Sequence, residues 1–169
     1  KAIKLMPDYA NAYYQRGSTK SKLNDNYGAV SDFTKAIELA PNSNDIHFIY
    51  YYRGIVKRIL EDYQGALADY NKAIETYPKW EAIYYQRGQS KYELEDYQGA
   101  IADYTRALEL SLNIELKSGI ESRRHAKTYA FRGLAKFKIG DLNGACKDFR
   151  KADSLGHSDS AEVVKARCN

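Results

Sequence analysis

DYQGALADYNKAIE, residues Asp62 to Glu75, returns 34 residues later as DYQGAIADYTRALE, residues Asp96 to Glu109. Looser copies run from Asn26 (NYGAVSDFTKAIE) and from Asp141 (DLNGACKDFRKAD), and each copy follows an Arg-Gly pair at a fixed distance. A period in the thirties means that one supersecondary unit is repeated. Such a unit cannot bury its apolar face alone and must stack on its neighbours.

Each unit reads as two helices. Tyr27 to about Leu39 carries Ala29, Phe33, Ala36 and Ile37 at i, i+4, i+7, i+8, the spacing of one buried stripe. The stripe recurs as Ala66, Tyr70, Ala73, Ile74, as Ala100, Tyr104, Ala107, Leu108, and as Ala145, Phe149, Ala152. A first helix, Asn11 to about Leu23, carries Tyr13, Gly17 and Leu23, repeated as Tyr50, Gly54, Leu60, as Tyr84, Gly88, Leu94, and as Tyr129, Gly133, Ile139. Asp62, Asp96 and Asp141 stand where the second helix needs an N-cap. Pro41 and Pro78 close two units, since proline cannot continue a helix.

Composition agrees with a folded chain. Of 169 residues, 44% are apolar and 28% charged, which separates the chain from disordered sequences. No apolar run approaches the roughly 18 residues of a membrane span. The net charge of +4 is unevenly placed: residues 1–112 carry 14 basic and 15 acidic side chains, residues 113–169 carry 12 and 7. Cys146 and Cys168 have no CxxC partner and no His at ligand spacing, so they read as neither a disulfide framework nor a zinc site. Cys146 reads as a small buried apolar residue.

The spacing resembles the tetratricopeptide repeat (TPR), a 34-residue helix-turn-helix unit, over nearly the full chain. The matching positions are an aromatic, Gly four residues on, Ala twelve later, an aromatic after four, Ala after three and Pro after five. Tyr13, Gly17, Ala29, Phe33, Ala36, Pro41 and Tyr50, Gly54, Ala66, Tyr70, Ala73, Pro78 match throughout. The third and fourth copies have Leu112 and His157 in place of the proline. The resemblance implies an all-α, right-handed α-solenoid of stacked helix-turn-helix units. Repeats are expected at 10–43, 44–80, 81–114 and 115–157. Residues 1–7, KAIKLMP, match KAIELAP at Lys35–Pro41 and read as the tail of a truncated preceding repeat. Residues 158–169, beginning SDSAEVVKAR, read as a capping helix that covers the last apolar face. Eleven extra residues within Ser111–His125 read as lengthened helices and a longer loop, or as a protruding element that contacts a partner.

A second recurrence concerns charge. Every first helix carries Arg-Gly-x-x-Lys: Arg16/Lys20, Arg53/Lys57, Arg87/Lys91 and Arg132/Lys136. Sixteen residues after each Arg comes Asp32, Asp69, Asp103 or Asp148. Arg and Lys at i and i+4 share a helix face, so one carboxylate across the hairpin meets both. The other reading, a ladder of basic groups for an anionic ligand, leaves the constant Asp offset unexplained. A glycine precedes the first Ala of each second helix (Gly28, Gly65, Gly99, Gly144), at up to about 1 kcal/mol against Ala. It reads as the mark of a close approach by another backbone.

Nothing in the sequence looks catalytic, and no cofactor or metal is expected. His47, His125 and His157 are dispersed and none lies at i, i+4 from a second ligand type. The family resemblance instead implies a protein-interaction scaffold whose concave surface is lined by the first helices. By register that surface takes Asn11, Tyr14, Ser18 and Ser21; Phe48, Tyr51, Ile55 and Arg58; Ala82, Tyr85, Gln89 and Tyr92; and Lys127, Ala130, Leu134 and Phe137. Tyr14, Tyr51 and Tyr85 form a row offering rigid apolar area plus hydroxyls for peptide carbonyls, against the alternative that the rings merely pack on one another. Some family members hold a chaperone C-terminal carboxylate with Lys and Asn four apart on the first helix. Here those positions are Tyr14/Ser18, Tyr51/Ile55, Tyr85/Gln89 and Ala130/Leu134, so no ligand of that clamp type is expected. Two alternatives stand beside peptide binding. One is nucleic-acid or anionic-surface binding through the basic last third (Lys117, Arg123, Arg124, Lys127, Lys147, Arg150, Lys151, Lys165, Arg167), disfavoured because no aromatic–basic interleaving marks it. The other is self-association through the exposed repeat end.

Overall fold

The computed structural model describes residues 9–118 and 124–168, and among these every regular element is a helix. The chain divides into two compact units, 1–78 and 79–169. The first holds α1 (Ala10–Lys22), α2 (Asn26–Leu39), α3 (Ile46–Ile59) and α4 (Tyr63–Thr76). The second holds α5 (Glu81–Glu93), α6 (Tyr97–Ser118), α7 (Arg124–Lys138), α8 (Leu142–Ser154) and α9 (Ser158–Arg167). No helix among the described residues is long and apolar enough to cross a membrane. The reading of residues 1–7 falls outside the described residues.

Within each unit the helices pack as successive hairpins. In the first, α1 lies on α2, α2 on α3 and α3 on α4. In the second, α5 lies on α6, α6 on α7, α7 on α8 and α8 on α9. The fold is all-α and built from helix-turn-helix units. The recurring stripe supplies the core: Ala29, Phe33, Ala36, Ala66, Tyr70, Ala73, Ala100, Tyr104, Ala145, Phe149 and Ala152 are all buried. Each first-helix glycine faces the aromatic of its own hairpin. A Cβ at Gly54 would lie 2.6 Å from the Tyr70 ring, and at Gly88 2.8 Å from Tyr104. The hairpin thus needs hydrogen at that position, because backbone cannot retreat from a ring packed in the core.

The second glycine of each repeat has a different cause from the one expected. Asp25, Asp62 and Asp141 cap α2, α4 and α8 by accepting from the N–H of Gly28, Gly65 and Gly144, and Asp96 accepts from Gly99 at 2.9 Å. A Cβ on these glycines would fall 2.0–2.2 Å from Oδ2 of the same aspartate. The close approach comes from the capping carboxylate three residues upstream, not from another backbone. In the first repeat this role falls to Asp25, one residue before the stretch singled out from the sequence.

Each first helix ends in a left-handed residue: Asn24, Glu61 and Glu95 at φ 61–62° and Gly140 at 83°. The next N–H then reaches back to the last turn, as from Asp62 to the Lys57 carbonyl at 2.9 Å and from Asp96 to Lys91 at 2.9 Å. These bonds satisfy carbonyls that the helix end leaves open and fix the reversal.

Where the proline is missing at Leu112, α6 continues to Ser118, so part of the inserted stretch is helix. The rest of it, 119–123, lies outside the described residues. At the other end, Cys146 and Cys168 are joined by a disulfide, with Cα atoms 5.5 Å apart across a sequence separation of 22. This overturns the reading of unlinked cysteines. The cause is the return path of α9, which runs back along α8 and sets Cys168 beside Ala145 and Phe149, with Val163 and Val164 packed alongside. Arg150 donates to the Cys168 carbonyl, a second tie to the same spot.

Candidate functional site

The four carboxylates at the sixteen-residue offset are nearly fully buried, at 2–3% exposure. Each is gripped by a forked guanidinium. In the second repeat Arg53 Nε and Nη2 donate to Asp69 Oδ2 and Oδ1 at 2.9 and 2.6 Å, while Lys57 Nζ stands 2.9 Å from Oδ2. Arg87 and Lys91 on Asp103, Arg132 and Lys136 on Asp148, and Arg16 and Lys20 on Asp32 repeat the arrangement. Each guanidinium also lies 5.3–5.6 Å from the centroid of the tyrosine three residues before it. Burial by itself would raise the Asp32 carboxyl, but hydrogen bonds from Arg16 and Lys20 and their charges outweigh it and hold it below the usual range. Arg53, Arg87 and Arg132 with their lysines are held largely inside the hairpins, whereas the Arg16 side chain stays 46% exposed.

The first helices face a different set of neighbours. In the first unit a concavity of about 430 Å³ opens between α1, α3 and the turn joining α2 to α3. Asn11, Tyr14 and Phe48 line it together with Ala10, Ala40, Ser43, Asp45 and Ile49. In the second unit a concavity of about 250 Å³ occupies the same register, lined by Tyr85 and Lys127 with Glu81, Ala82, Ala107, Ser111, His125 and Thr128. A third, of about 200 Å³, lies where α9 meets α7 and is lined by Ala130, Phe131, Leu134, Phe149, His157, Asp159, Ser160 and Val163. The first falls within the size range of small-ligand pockets, and the other two are smaller.

The expected row of tyrosines is uneven. Tyr14 is half-buried, its ring 6.0 Å from Phe33 and 6.1 Å from Tyr52. Tyr51 is buried, 5.2 Å from Tyr52 and 6.4 Å from Tyr70, so it belongs more to the core than to an open face. Tyr85 is half-buried against Tyr104 and Phe131, and its hydroxyl accepts from Gln89 Nε2 at 3.2 Å. Tyr92 lies edge-on to Tyr97 at 5.2 Å. Ser18 and Ile55 are partly exposed, Lys127 is exposed, and Arg58 is half-buried with its Nε enclosed. Burial, then the neighbouring Tyr52 and the Asp45 carboxylate, push the Tyr14 phenol above its ordinary value.

Sequence register supplies Asn11, Tyr14 and Phe48 of the first concavity and Ala82, Tyr85 and Lys127 of the second, and misses both the turn before α3 and several residues borne on helices. Ala40, Ser43 and Asp45 precede α3, and Ser111 and His125 flank the inserted stretch; none belongs to the recurring i, i+3, i+7, i+10 face. Of the basic last third, Arg150 is spent on the Cys168 carbonyl, Arg167 lies 5.2 Å from the Phe137 ring, and Lys127 stands in the second concavity. The side chains of Lys117, Arg123, Arg124 and Lys165 lie outside those described. Among the described residues, no three His, Cys, Asp or Glu side chains come together as metal ligands.

Comparison with known proteins places this geometry. Solved structures with the same fold include MamA (TM-score 0.79, 20% identity, covering 95% of this chain and 86% of that one). They also include YrrB, described as a TPR protein with an unusual peptide-binding site (TM-score 0.76, 24% identity, covering 95% and 76%). A third is MamA 41-end from Desulfovibrio magneticus RS-1 (TM-score 0.79, 22% identity, covering 92% and 80%). At these identities the likeness shows the fold. No curated protein matches the sequence. Two sequence models of the tetratricopeptide repeat match, one over residues 10–43 and 126–155 and the other over 81–113, together more than half of the chain. With the recurring hairpin, its glycine and its buried stripe, these matches establish that the chain belongs to the tetratricopeptide repeat family.

Proposed function

We propose that the chain binds a peptide segment of a protein partner on the face formed by its first helices. Proteins of this family are interaction scaffolds, generally without enzymatic activity. The observation that carries the reading is the concavity at one register in both units, walled by Tyr14 and Phe48 in one and by Tyr85 and Lys127 in the other. Half-buried aromatic walls give a peptide apolar area with little ordering cost, and the hydroxyls and Asn11 amide offer partners for its backbone. YrrB, which shares the fold, has a peptide-binding site, which adds weight to this reading.

A displayed library of random dodecapeptides, selected on the folded chain, tests it. Phe48 is 37% exposed, so its truncation leaves the core intact. Selected peptides should lose about tenfold or more in affinity on Phe48→Ala or Tyr85→Ala, the size of an interface anchor. Affinities unchanged in both variants would move the binding face elsewhere or abolish the proposal.

A further inference from the structure

We propose that the concavity of the first unit is a subsite for a basic side chain, lysine or arginine, of the bound peptide. The inference rests on the peptide-binding reading and specifies one of its contacts. Among the described residues, Asp45 is the single formally charged one lining that concavity. Unlike Asp25, Asp62, Asp96 and Asp141, it does not spend its carboxylate on a helix cap: at the start of α3 its side chain makes no capping bond. Unlike Asp32 and Asp69, it forms no ion pair with a described cation, and it is exposed.

The walls around it suit a cation. Phe48 and Tyr14 line the same space, and Tyr52, also 37% exposed, stands 6.1 Å from Tyr14. Aromatic faces attract an ammonium or guanidinium within about 6 Å of the ring, and the aliphatic stem of lysine or arginine packs on the same apolar surface. The His47 ring lies 4.3 Å from the Phe48 ring and 4.7 Å from the Tyr77 ring, and His47 is not among the lining residues. The corresponding space of the second unit carries both signs: Lys127 occupies the register of Phe48, and Glu81 lines the same space. Among the described lining residues, an acidic group and exposed rings without a cation therefore mark the first unit and not the second.

The test uses the full chain and a displayed random dodecapeptide library, followed by synthetic peptides measured by fluorescence polarisation. Variants are Asp45→Asn, Asp45→Lys and Phe48→Ala, with Lys127→Glu as the control in the other unit. Far-UV circular dichroism of Asp45→Asn, a near-isosteric change at an exposed site, secures the fold. The expected result is enrichment of Lys or Arg at one position of the Phe48-dependent peptides. Replacing that residue by norleucine, or Asp45 by Asn, should weaken binding about three- to thirty-fold, the sum of an exposed ion pair and a cation–π contact. Asp45→Lys should shift the enrichment to Asp or Glu, and Lys127→Glu should leave the basic preference in place. Peptides that depend on Phe48 but tolerate norleucine and Asp45→Lys would overturn the basic subsite while leaving peptide binding standing. A library that yields no Phe48-dependent peptide would overturn both.

Discussion

Cutting the Arg53–Asp69 fork should destabilise the protein far more than cutting its counterpart Arg16–Asp32, although the two pairs share residue types and spacing. The difference lies in burial. The Arg53 side chain is 14% exposed and that of Arg16 46%, while both aspartates are enclosed. Asp69→Ala strands Arg53 and Lys57, both largely shielded from water, and removing one partner of a buried pair costs about 3–5 kcal/mol. Arg53→Ala is milder, about 2–3 kcal/mol, because Lys57 stays 2.9 Å from the carboxylate. The double-mutant cycle should therefore return a coupling of about 1.5–3 kcal/mol. The Arg16–Asp32 cycle, with a guanidinium open to solvent, should return about 0.2–1 kcal/mol. Urea unfolding followed by far-UV circular dichroism gives the energies, and native-state hydrogen exchange assigns the loss to particular helices. Equal couplings in the two repeats, or none between Arg53 and Asp69, would refute the argument that burial sets the strength of the fork.

Two further outcomes follow from the turns and the crosslink. Reducing the Cys146–Cys168 bond, whose closed loop spans a separation of 22, should remove about 3 kcal/mol from the second unit. A helix of 10 residues is too short to persist alone, so hydrogen exchange should quicken first in α9 and leave α1–α4 unchanged; protection of α9 that is indifferent to dithiothreitol would assign its docking to side-chain packing instead. Glu61→Gly and Glu95→Gly should each stabilise the chain by about 0.5–1 kcal/mol, since both glutamates sit at φ 61° where Gly140 serves the fourth repeat. Gly140→Ala should do the reverse, and the shift in urea midpoint reads all three.

The hairpins were legible because their cause is periodic. One stripe of Ala, aromatic and Ala recurs at helical spacing, and a glycine opposite each aromatic leaves room for the ring against the facing helix. The Arg–Asp offset of sixteen was legible for the same reason, as a fixed register across a turn of fixed length. The disulfide was not, because nothing local to Cys146 or Cys168 encodes it: their meeting depends on the direction in which α9 returns along α8. The acidic half of the first concavity was equally hidden. Ser43 and Asp45 stand in the six-residue connection between α2 and α3, two residues longer than its counterpart between α4 and α5, where the repeat pattern has no register to assign. Tyr51 shows the limit of register from the other side: it holds the same place as Tyr14 and Tyr85, yet the rings of Tyr52 and Tyr70 enclose it.

Two of the forked arginines make one more bond, and it ties neighbouring hairpins together. Arg53 Nη1 donates to Thr34 Oγ1 at 2.9 Å, and Arg132 Nη1 to Thr105 Oγ1 at 3.1 Å, so each guanidinium reaches the second helix of the hairpin before its own. When a downstream hairpin frays, it withdraws a donor from its upstream neighbour. When the upstream hairpin frays, the arginine keeps its aspartate and loses one contact to a hydroxyl. The same bond is lost either way, so the coupling within each such pair is reciprocal, and a ligand that clamps either hairpin also steadies its neighbour.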